Sequence, residues 1–188
     1  MKKSVQFLLL FLMCISASWT WASDAPERTV LFNMGDYDSQ YWRIPALVTA
    51  ADNSLVAVVD KRGSSLGDLP NTISIMSRRS TDNGKNWSEP VVVAQGGNGK
   101  TYGDPAVVLD KKTGNLICMF VGDQGLWNAT PYNRQGIYVS KSTDNGVSWS
   151  EPVAITDQVY ANHSGWYAGF AGSGHGLCLK DGRLMFVL

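Results

Sequence analysis

Short apolar runs, rich in valine and isoleucine, alternate with polar turns along the chain from residue 23 onward. Glycine, asparagine and aspartate are concentrated in the turns between the runs. No apolar spacing of three to four residues continues long enough to predict a helix of useful length. The pattern is typical of antiparallel all-β structure, in which each apolar run forms a strand.

The predicted strands fall into units that repeat along the chain. Strands of the first unit are predicted at 46–48, 55–59, 73–76 and 90–94, and those of the second at 106–108, 116–121, 136–139 and 152–156. A third unit provides two strands, at 176–179 and 184–188, and a separate strand is predicted at 29–32. Four strands in a helix-free unit predict a blade of a β-propeller.

The number of units sets an expectation for the whole ring. The chain is expected to hold about two and a half blades, whereas a propeller ring usually has four to eight. We therefore expect the chain to be truncated relative to its fold. The strand at 29–32 is expected to close the ring by joining the last blade.

A twelve-residue segment marks the turn before the fourth strand of each complete unit. Residues 80–91 and 142–153 start 62 residues apart and agree at ten of twelve positions. The Asp-Asn-Gly within each segment suits a tight turn, because Asp accepts backbone N–H bonds and Gly adopts positive φ. A calcium loop is the alternative, but it needs alternating oxygen ligands and a later bidentate acid that the segment lacks. We interpret both segments as structural turns and expect no metal.

The first 22 residues predict a secretory signal peptide. Lys2 and Lys3 precede an apolar run at 5–15, and small residues follow up to a cleavage site after Ala22. The apolar run is too short to span a bilayer as an anchor. The mature chain, 23–188, is therefore expected to be secreted or periplasmic.

Composition argues against two classes of function. The formal net charge is 0 at pH 7 and becomes −2 without the two leader lysines, and no basic stripe suggests nucleic-acid binding. No histidine or cysteine pair stands at metal-ligand spacing, so no metal or other cofactor is expected.

We interpret Cys118 and Cys178 as two buried thiols in separate strands, although an oxidising compartment also permits a disulfide.

The segment at 41–47 opens the first unit with an arginine directly before Ile-Pro. It resembles the Arg-Ile-Pro motif of bacterial exo-α-sialidases (neuraminidases), and the repeated Ser-x-Asp-x-Gly-x-x-Trp pattern matches the Asp box of sialidases and some other propellers. The resemblance implies a six-bladed propeller that removes terminal sialic acid from glycans with retention. It also implies that Arg43 is one of three arginines that hold the sialic acid carboxylate, for which a planar guanidinium is suited. A surface salt bridge is the alternative role for Arg43.

Two residues after the second strand match the family by spacing. The resemblance implies that Asp68 is the general acid/base and that Arg62 contacts the region of the sugar's 4-hydroxyl. Such an acid must be protonated near the working pH, and a loop that closes over substrate and excludes water favours the protonated form. The alternative for Asp68 is a solvated aspartate on an idle loop.

The second unit supplies two further candidates. Asp104 precedes Pro105 where Arg43 and Ile44 precede Pro45, so we expect Asp104 and Arg43 to be equivalent and to face the central channel. The resemblance implies that Asp104 binds the 4-hydroxyl near Arg62, and a cap on the strand is the alternative. Trp127 is implied to line the N-acetyl pocket, with a packing role or a plain surface position as its alternatives.

Part of the family's catalytic set is not recognisable in the sequence. The family uses a Tyr nucleophile activated by a Glu, and this chain has three Glu, two of them in the repeated turns. We therefore expect the N-terminal part of an exo-α-sialidase acting on sialylated glycans, inactive as the 188-residue chain alone. A non-catalytic propeller that binds sialic acid is the alternative, and a propeller acting on neutral glycans is a third reading.

Overall fold

The computed structural model describes residues 28–63, 65–163 and 165–188. Strands make up most of the regular structure of these residues, which confirms the predicted all-β class. The exceptions are a 3-10 helix at Asp36–Asp38 and two one-turn helices, α1 (Gly125–Asn128) and α2 (Thr156–Tyr160), which the apolar pattern does not predict. Within the described ranges no helix is long and apolar enough to cross a membrane. The predicted signal peptide lies outside them.

Two four-stranded antiparallel blades follow one another along the chain. In sheet order, the first blade consists of β1 (Tyr41–Thr49), β2 (Leu55–Arg62), β3 (Ile73–Ser80) and β4 (Val91–Ala94). The second blade consists of β5 (Tyr102–Leu109), β6 (Leu116–Asp123), β7 (Gln135–Ser142) and β8 (Val153–Ala154). Each blade has the four-strand order that the repeat predicts, and the propeller prediction is confirmed.

The third unit contributes shorter strands than predicted. β9 (Gly174–His175) pairs in parallel with β5 of the second blade. β10 (Leu177–Cys178) pairs antiparallel with β11 (Leu184–Met185) across the predicted turn. Both predicted strands of this unit are therefore present, but each pairs over only two residues.

Several strands extend beyond the apolar runs that predicted them. β2 continues past the predicted 55–59 as far as Arg62, and β5 begins at Tyr102 rather than at 106. Polar residues keep pairing at these ends because the ladder is built by backbone groups, whichever side chain they carry. The extensions matter for function because the candidate site residues lie in or next to them.

The predicted strand at 29–32 is wrong. These residues form no strand; instead the Leu31 carbonyl accepts a hydrogen bond from Arg78 Nη1 at 2.6 Å. The Phe32 ring packs on Trp42 with the ring centroids 4.5 Å apart. A strand needs a neighbouring strand for its backbone groups, and here an arginine side chain takes that place.

One apolar core joins the two blades. Val56 and Ile75 of the first blade and Phe120 of the second are fully buried within it. Each such side chain contributes about 1.5–3 kcal/mol relative to an exposed position. Trp149 of the second repeated turn packs against this core, and its Nε1 donates to Ser77 Oγ in β3 at 3.0 Å. The shared core holds the inner strands β1 and β5 side by side.

The repeated turns are built alike in both blades. Asp82 Oδ1 accepts hydrogen bonds from Ser80 Oγ and from the Asn86 N–H, both at 2.8 Å. The corresponding two bonds to Asp144 are 2.7 and 2.9 Å long. Each carboxylate is thus satisfied inside its own turn, which supports the structural interpretation. The described residues contain no group of three or more His, Cys, Asp or Glu side chains that could hold a metal.

Cys118 and Cys178, the cysteines of the described residues, are free thiols, as predicted. Cys118 is fully buried in β6, and burial raises the pKa of its thiol. Cys178 lies in β10 and is only half-buried, so the prediction of two buried thiols is correct for Cys118 alone. Cys118 is therefore a packing residue, since a buried thiol that stays protonated is unreactive.

Candidate active site

A β-bulge lies near the start of the inner strand in each blade. The pairing of β1 with β2 shifts after Arg43, and that of β5 with β6 shifts after Gly103. The next residue in each strand, Ile44 or Asp104, has a left-handed φ of 55° or 57°. Such a backbone costs about 1–3 kcal/mol at a non-glycine residue, and bulges near active sites re-aim side chains. Both residues line the same cavity.

The strand pairing corrects the expected equivalence of Arg43 and Asp104. Arg43 pairs with Asp60, whereas Gly103 pairs with Val121 at the matching place in the second blade. Gly103 is therefore the counterpart of Arg43, and Asp104 is the counterpart of Ile44. Asp104 faces the cavity because its bulge redirects it, not because it repeats the position of the arginine.

All five residues predicted for the site line one cavity between the two blades. They are Arg43, Arg62, Asp68, Asp104 and Trp127. The remaining lining residues are mostly apolar or glycine: Ile44, Leu69, Ile73, Gly103, Leu126, Gln135, Gly169, Phe170 and Ala171. A concave site with few polar groups on apolar walls is the usual form of a small-ligand site.

Arg62 is the hub of the polar network in the cavity. Its side chain is 2% exposed, and its Nη1 donates to Asp68 Oδ1 at 2.6 Å and to the Leu66 and Gly67 carbonyls at 3.0 and 3.2 Å. Burial lowers the pKa of Arg62, but hydrogen bonds to Asp68 and Asp60 outweigh it and raise that pKa overall. Arg62 is therefore charged at any working pH and anchors the loop that carries Asp68.

Asp60 lies beneath Arg62 and is fully buried. Its Oδ2 accepts hydrogen bonds from Arg62 Nη2 at 2.8 Å and Nε at 3.3 Å, and its Oδ1 accepts the Asp104 N–H at 3.2 Å. Burial raises the pKa of Asp60, and the guanidinium of Arg62 acts against that shift. Burial also raises the pKa of Asp104, against the attraction of Arg62. Three ionisable groups are thus coupled at the floor of the site.

Arg43 and Asp68 are the exposed charges of the cavity. Their side chains are 43% and 56% exposed, and Arg43 Nη1 lies 3.6 Å from Asp68 Oδ1. Arg43 Nη1 also donates to the Leu66 carbonyl at 3.2 Å, while its Nε and Nη2 have no hydrogen-bond partner among the described residues. Arg43 therefore presents free guanidinium donors to the cavity, which the buried Arg62 does not.

Trp127 lies in α1 at the rim of the cavity. The residue is 78% exposed, which argues against a packing role and fits either a ligand contact or a plain surface position. Phe170, from the segment before β9, is 71% exposed and lines the same cavity. The two rings provide an apolar rim that a ligand can cover.

Sequence reasoning missed Asp60, Gln135 and Phe170. Gln135 begins β7, is 2% exposed and accepts the Gly169 N–H on Oε1 at 2.9 Å. The sequence does offer a signal for Asp60. It directly follows the apolar run 55–59 and lies two residues before Arg62, so the two side chains are expected on the same face of the strand. No comparable signal marks Gln135 or Phe170, because chain segments far apart in sequence bring them to the cavity.

Comparison with known proteins bears on the family. A family model described as the BNR repeat-like domain matches residues 44–188, which is more than half of the chain. The chain belongs to the BNR repeat-like domain family. The match includes both repeated turns and four of the five predicted site residues, and it begins at Ile44, directly after Arg43.

Relatives of this BNR repeat-like chain include several sialidases. A sialidase of Bacteroides fragilis (strain YCH46) is 34% identical over 171 residues, covering 81% of this chain and 31% of the relative. A sialidase of Micromonospora viridifaciens is 35% identical over 153 residues, covering 75% of this chain and 23% of the relative. The predicted resemblance to sialidases is confirmed.

Solved structures give the same result for this member of the BNR repeat-like domain family. The Hadza microbial sialidase Hz136 superposes with a TM-score of 0.72 at 31% identity, covering 81% of this chain and 33% of that one. The chain therefore spans a third or less of the length of these three relatives.

Proposed function

We propose that the chain supplies the carboxylate-binding and acid/base half of an exo-α-sialidase active site, which removes terminal sialic acid from glycans with retention. The observation that carries the proposal is the arrangement of Arg43 and Asp68 at the mouth of one cavity, 3.6 Å apart and both exposed. A sialoside places a carboxylate and a glycosidic oxygen on the same carbon. An arginine beside a carboxyl group matches that pair of groups.

Arg43 is suited to hold the substrate carboxylate. Its Nε and Nη2 have no partner among the described residues, and these donors can form two parallel bonds to a carboxylate. The donors of the buried Arg62 are already engaged by Asp60, Asp68 and loop carbonyls, so Arg43 is the arginine of the cavity with donors available to a carboxylate.

Asp68 is suited to protonate the leaving oxygen. It belongs to the loop between β2 and β3 and is 56% exposed in the open cavity. A general acid must lie within hydrogen-bond reach of the leaving oxygen, and a substrate that enters the cavity can reach the exposed Asp68 directly. After the leaving group departs, the same carboxylate can activate the water that completes a retaining reaction.

Asp104 and Trp127 are suited to hold the sugar ring. Asp104 is partly buried next to Arg62, and its carboxyl group can accept a hydrogen bond from a ring hydroxyl. Trp127 and Phe170 offer exposed aromatic rings at the rim, which suit the apolar faces of a pyranose and its N-acetyl group.

The nucleophile has no candidate among the described residues that line the cavity, since none of them is a Tyr or a Glu. We therefore expect the 188-residue chain alone to bind sialic acid without hydrolysing sialosides. Turnover of a fluorogenic sialoside by the chain alone would contradict this division of roles.

The experiment for the activity is hydrolysis of a sialyl-oligosaccharide by the full-length gene product, with release of sialic acid followed by chromatography. We expect release with retained configuration. Binding of sialic acid without any release would favour a non-catalytic sialic-acid-binding propeller. Release of neutral sugars instead would overturn the proposal.

We also propose that the protein is exported. Support comes from the order of charged, apolar and small residues at 1–22, which lie outside the described residues. N-terminal sequencing of the protein recovered outside the cytoplasm of a bacterial host should show a start at Ser23. Recovery of the uncleaved chain in the cytoplasm would contradict export.

A further inference from the structure

Asp60 occupies a position that the fold fills with an apolar residue in the other blade. β2 and β6 are both eight residues long, and their sixth residues are Asp60 and Val121. Both side chains are buried, at 0% and 1% exposure. The fold therefore accepts valine here, and a carboxylate is retained in the first blade despite the loss of solvation that burial imposes.

The Asp60 carboxylate joins three parts of the site. Oδ2 accepts two hydrogen bonds from the guanidinium of Arg62, at 2.8 and 3.3 Å. Oδ1 accepts the backbone N–H of Asp104, at 3.2 Å, from the neighbouring blade. The Asp104 backbone is the left-handed residue of the β5 bulge, so Asp60 holds the bulge at the point that sets the direction of the Asp104 side chain.

The other edge of Arg62 reaches the loop that carries Asp68. Nη1 donates to Asp68 Oδ1 at 2.6 Å and to the carbonyls of the two residues before it. With Asp60 on Nε and Nη2, the guanidinium plane is held on both sides and cannot rotate without breaking charge-assisted bonds. The orientation of Asp68 therefore depends on a residue that does not itself line the cavity.

We propose that Asp60 is a positioning residue that acts through Arg62 on Asp68 and through the backbone of Asp104 on the second blade. Asp60 touches no substrate, because it is fully buried below the cavity floor. The inference rests on the proposed sialidase function, and it assigns to Asp60 a role in orienting the acid rather than in binding the sugar.

Asp60→Asn in the full-length gene product tests the proposal with two sialosides. One sialoside carries an aryl leaving group that departs without a proton, and the other carries a sugar alcohol that needs a proton from Asp68. A positioned general acid contributes roughly 10²–10⁴-fold to rate, and Asp60→Asn should lose part of that. We expect kcat/KM to fall at least about tenfold more for the sugar leaving group than for the aryl one.

Two further variants sharpen the comparison. Asp68→Asn should produce the same selective loss, because it removes the acid itself. Asp110→Asn is the matched control, since Asp110 bonds only within the turn between β5 and β6, to Lys112 N–H and Thr113 Oγ1. For Asp110→Asn, the ratio of kcat/KM on the aryl sialoside to kcat/KM on the sugar sialoside should equal that of the unsubstituted protein.

Equal losses on both substrates for Asp60→Asn would show a merely structural role and overturn the proposal. If Asp60→Asn does not fold, Arg62→Lys replaces it, because lysine keeps the charge beside Asp60 and loses the fork to the loop. An unchanged ratio for Arg62→Lys would then overturn the proposal. Absence of turnover of either sialoside by the unsubstituted protein overturns the proposed function and this inference with it.

Discussion

The two complete blades are nearly identical at their repeated turns and differ at the ends of their inner strands. In both turns an Asp carboxylate accepts hydrogen bonds from a Ser hydroxyl and a backbone N–H at equivalent positions. At the inner ends, Arg62 closes β2 in the first blade, whereas Asp123 closes β6 in the second and accepts the Tyr138 hydroxyl at 2.7 Å. The repeated turn has the same structural role in both blades, whereas the residues at the ends of β2 and β6 differ between the blades and can serve a functional site.

The difference extends to the residue below each inner end. Asp60 and Arg62 form a buried ion pair that reaches the loop between β2 and β3. At the matching positions of the second blade, Val121 is an apolar residue and Asp123 accepts a hydrogen bond from Tyr138. The first blade thus supplies Arg43, Arg62 and Asp68 to the cavity, and the second supplies Asp104, Trp127 and Gln135. The contrast teaches that the same position of a repeated strand can carry a buried charge in one blade and an apolar packing residue in the other.

Removing the acid from the first blade should have the largest effect. Asp68→Ala in the full-length gene product is expected to lower kcat on a sialyl-oligosaccharide by roughly 10²–10⁴-fold, because protonation of the leaving oxygen is lost. Steady-state kinetics measure it. Retention of activity on that natural glycan would remove Asp68 from the mechanism.

Moving the buried carboxylate into the second blade should destabilise the fold. Val121→Asp places a charge where no arginine is available, and an uncompensated buried charge costs about 3–5 kcal/mol of unfolding free energy. Urea unfolding of the variant measures the loss, with Val121→Thr as the control of similar shape. A loss below about 1 kcal/mol would mean that the inner end of β6 is wetter than the structure indicates.

Much of this contrast could be read from the sequence, and some could not. The twelve-residue repeat predicted both blades and their turns, because Asp, Asn, Gly and Trp each have a local role there. Arg43, Arg62, Asp68, Asp104 and Trp127 were placed in the site through a family resemblance. The β-bulges that give Ile44 and Asp104 their left-handed φ depend on strand register, which local patterns do not determine.

The failures share a physical cause. The strand at 29–32 was predicted from its own apolar residues, but a strand exists only when another strand pairs with it. Gln135 and Phe170 enter the site through contacts between segments distant in sequence. Tertiary packing decides such contacts, so a single sequence without its fold could not have indicated them.

Weakening the exposed arginine of the first blade should have an intermediate effect. Arg43→Lys keeps the charge and loses the bidentate geometry, and a hydrogen bond to a charged group is worth about 1.5–3 kcal/mol. We expect kcat/KM for a sialoside to fall by about 10–150-fold in the full-length gene product. Arg78→Lys, on the outer side of the same blade, is the comparison and should change kcat/KM little.

The stability that the first repeated turn contributes should depend on pH in the acidic range. Hydrogen bonds from Asn86 hold the pKa of Asp82 down, at about 2 against an ordinary 3.8. A depressed folded-state pKa gives stability that is present above pH 3.8 and is lost as the pH falls towards 2. The melting temperature of the chain should therefore fall as the pH is lowered over this interval. The melting temperature of Asp82→Asn should depend less steeply on pH. If the melting temperature of Asp82→Asn falls as steeply with pH as that of the unsubstituted chain, Asp82 is not the source of this pH dependence.

The proposed function depends above all on Arg43 holding a carboxylate in the cavity between the two blades. Calorimetric titration of the full-length gene product with N-acetylneuraminic acid and with its methyl ester tests it directly, in the unsubstituted protein and in Arg43→Met. The free acid should bind about 10–150-fold more tightly than the ester to the unsubstituted protein, and Arg43→Met should remove most of this preference. Equal affinity for acid and ester in the unsubstituted protein, or a preference that Arg43→Met leaves intact, would contradict it.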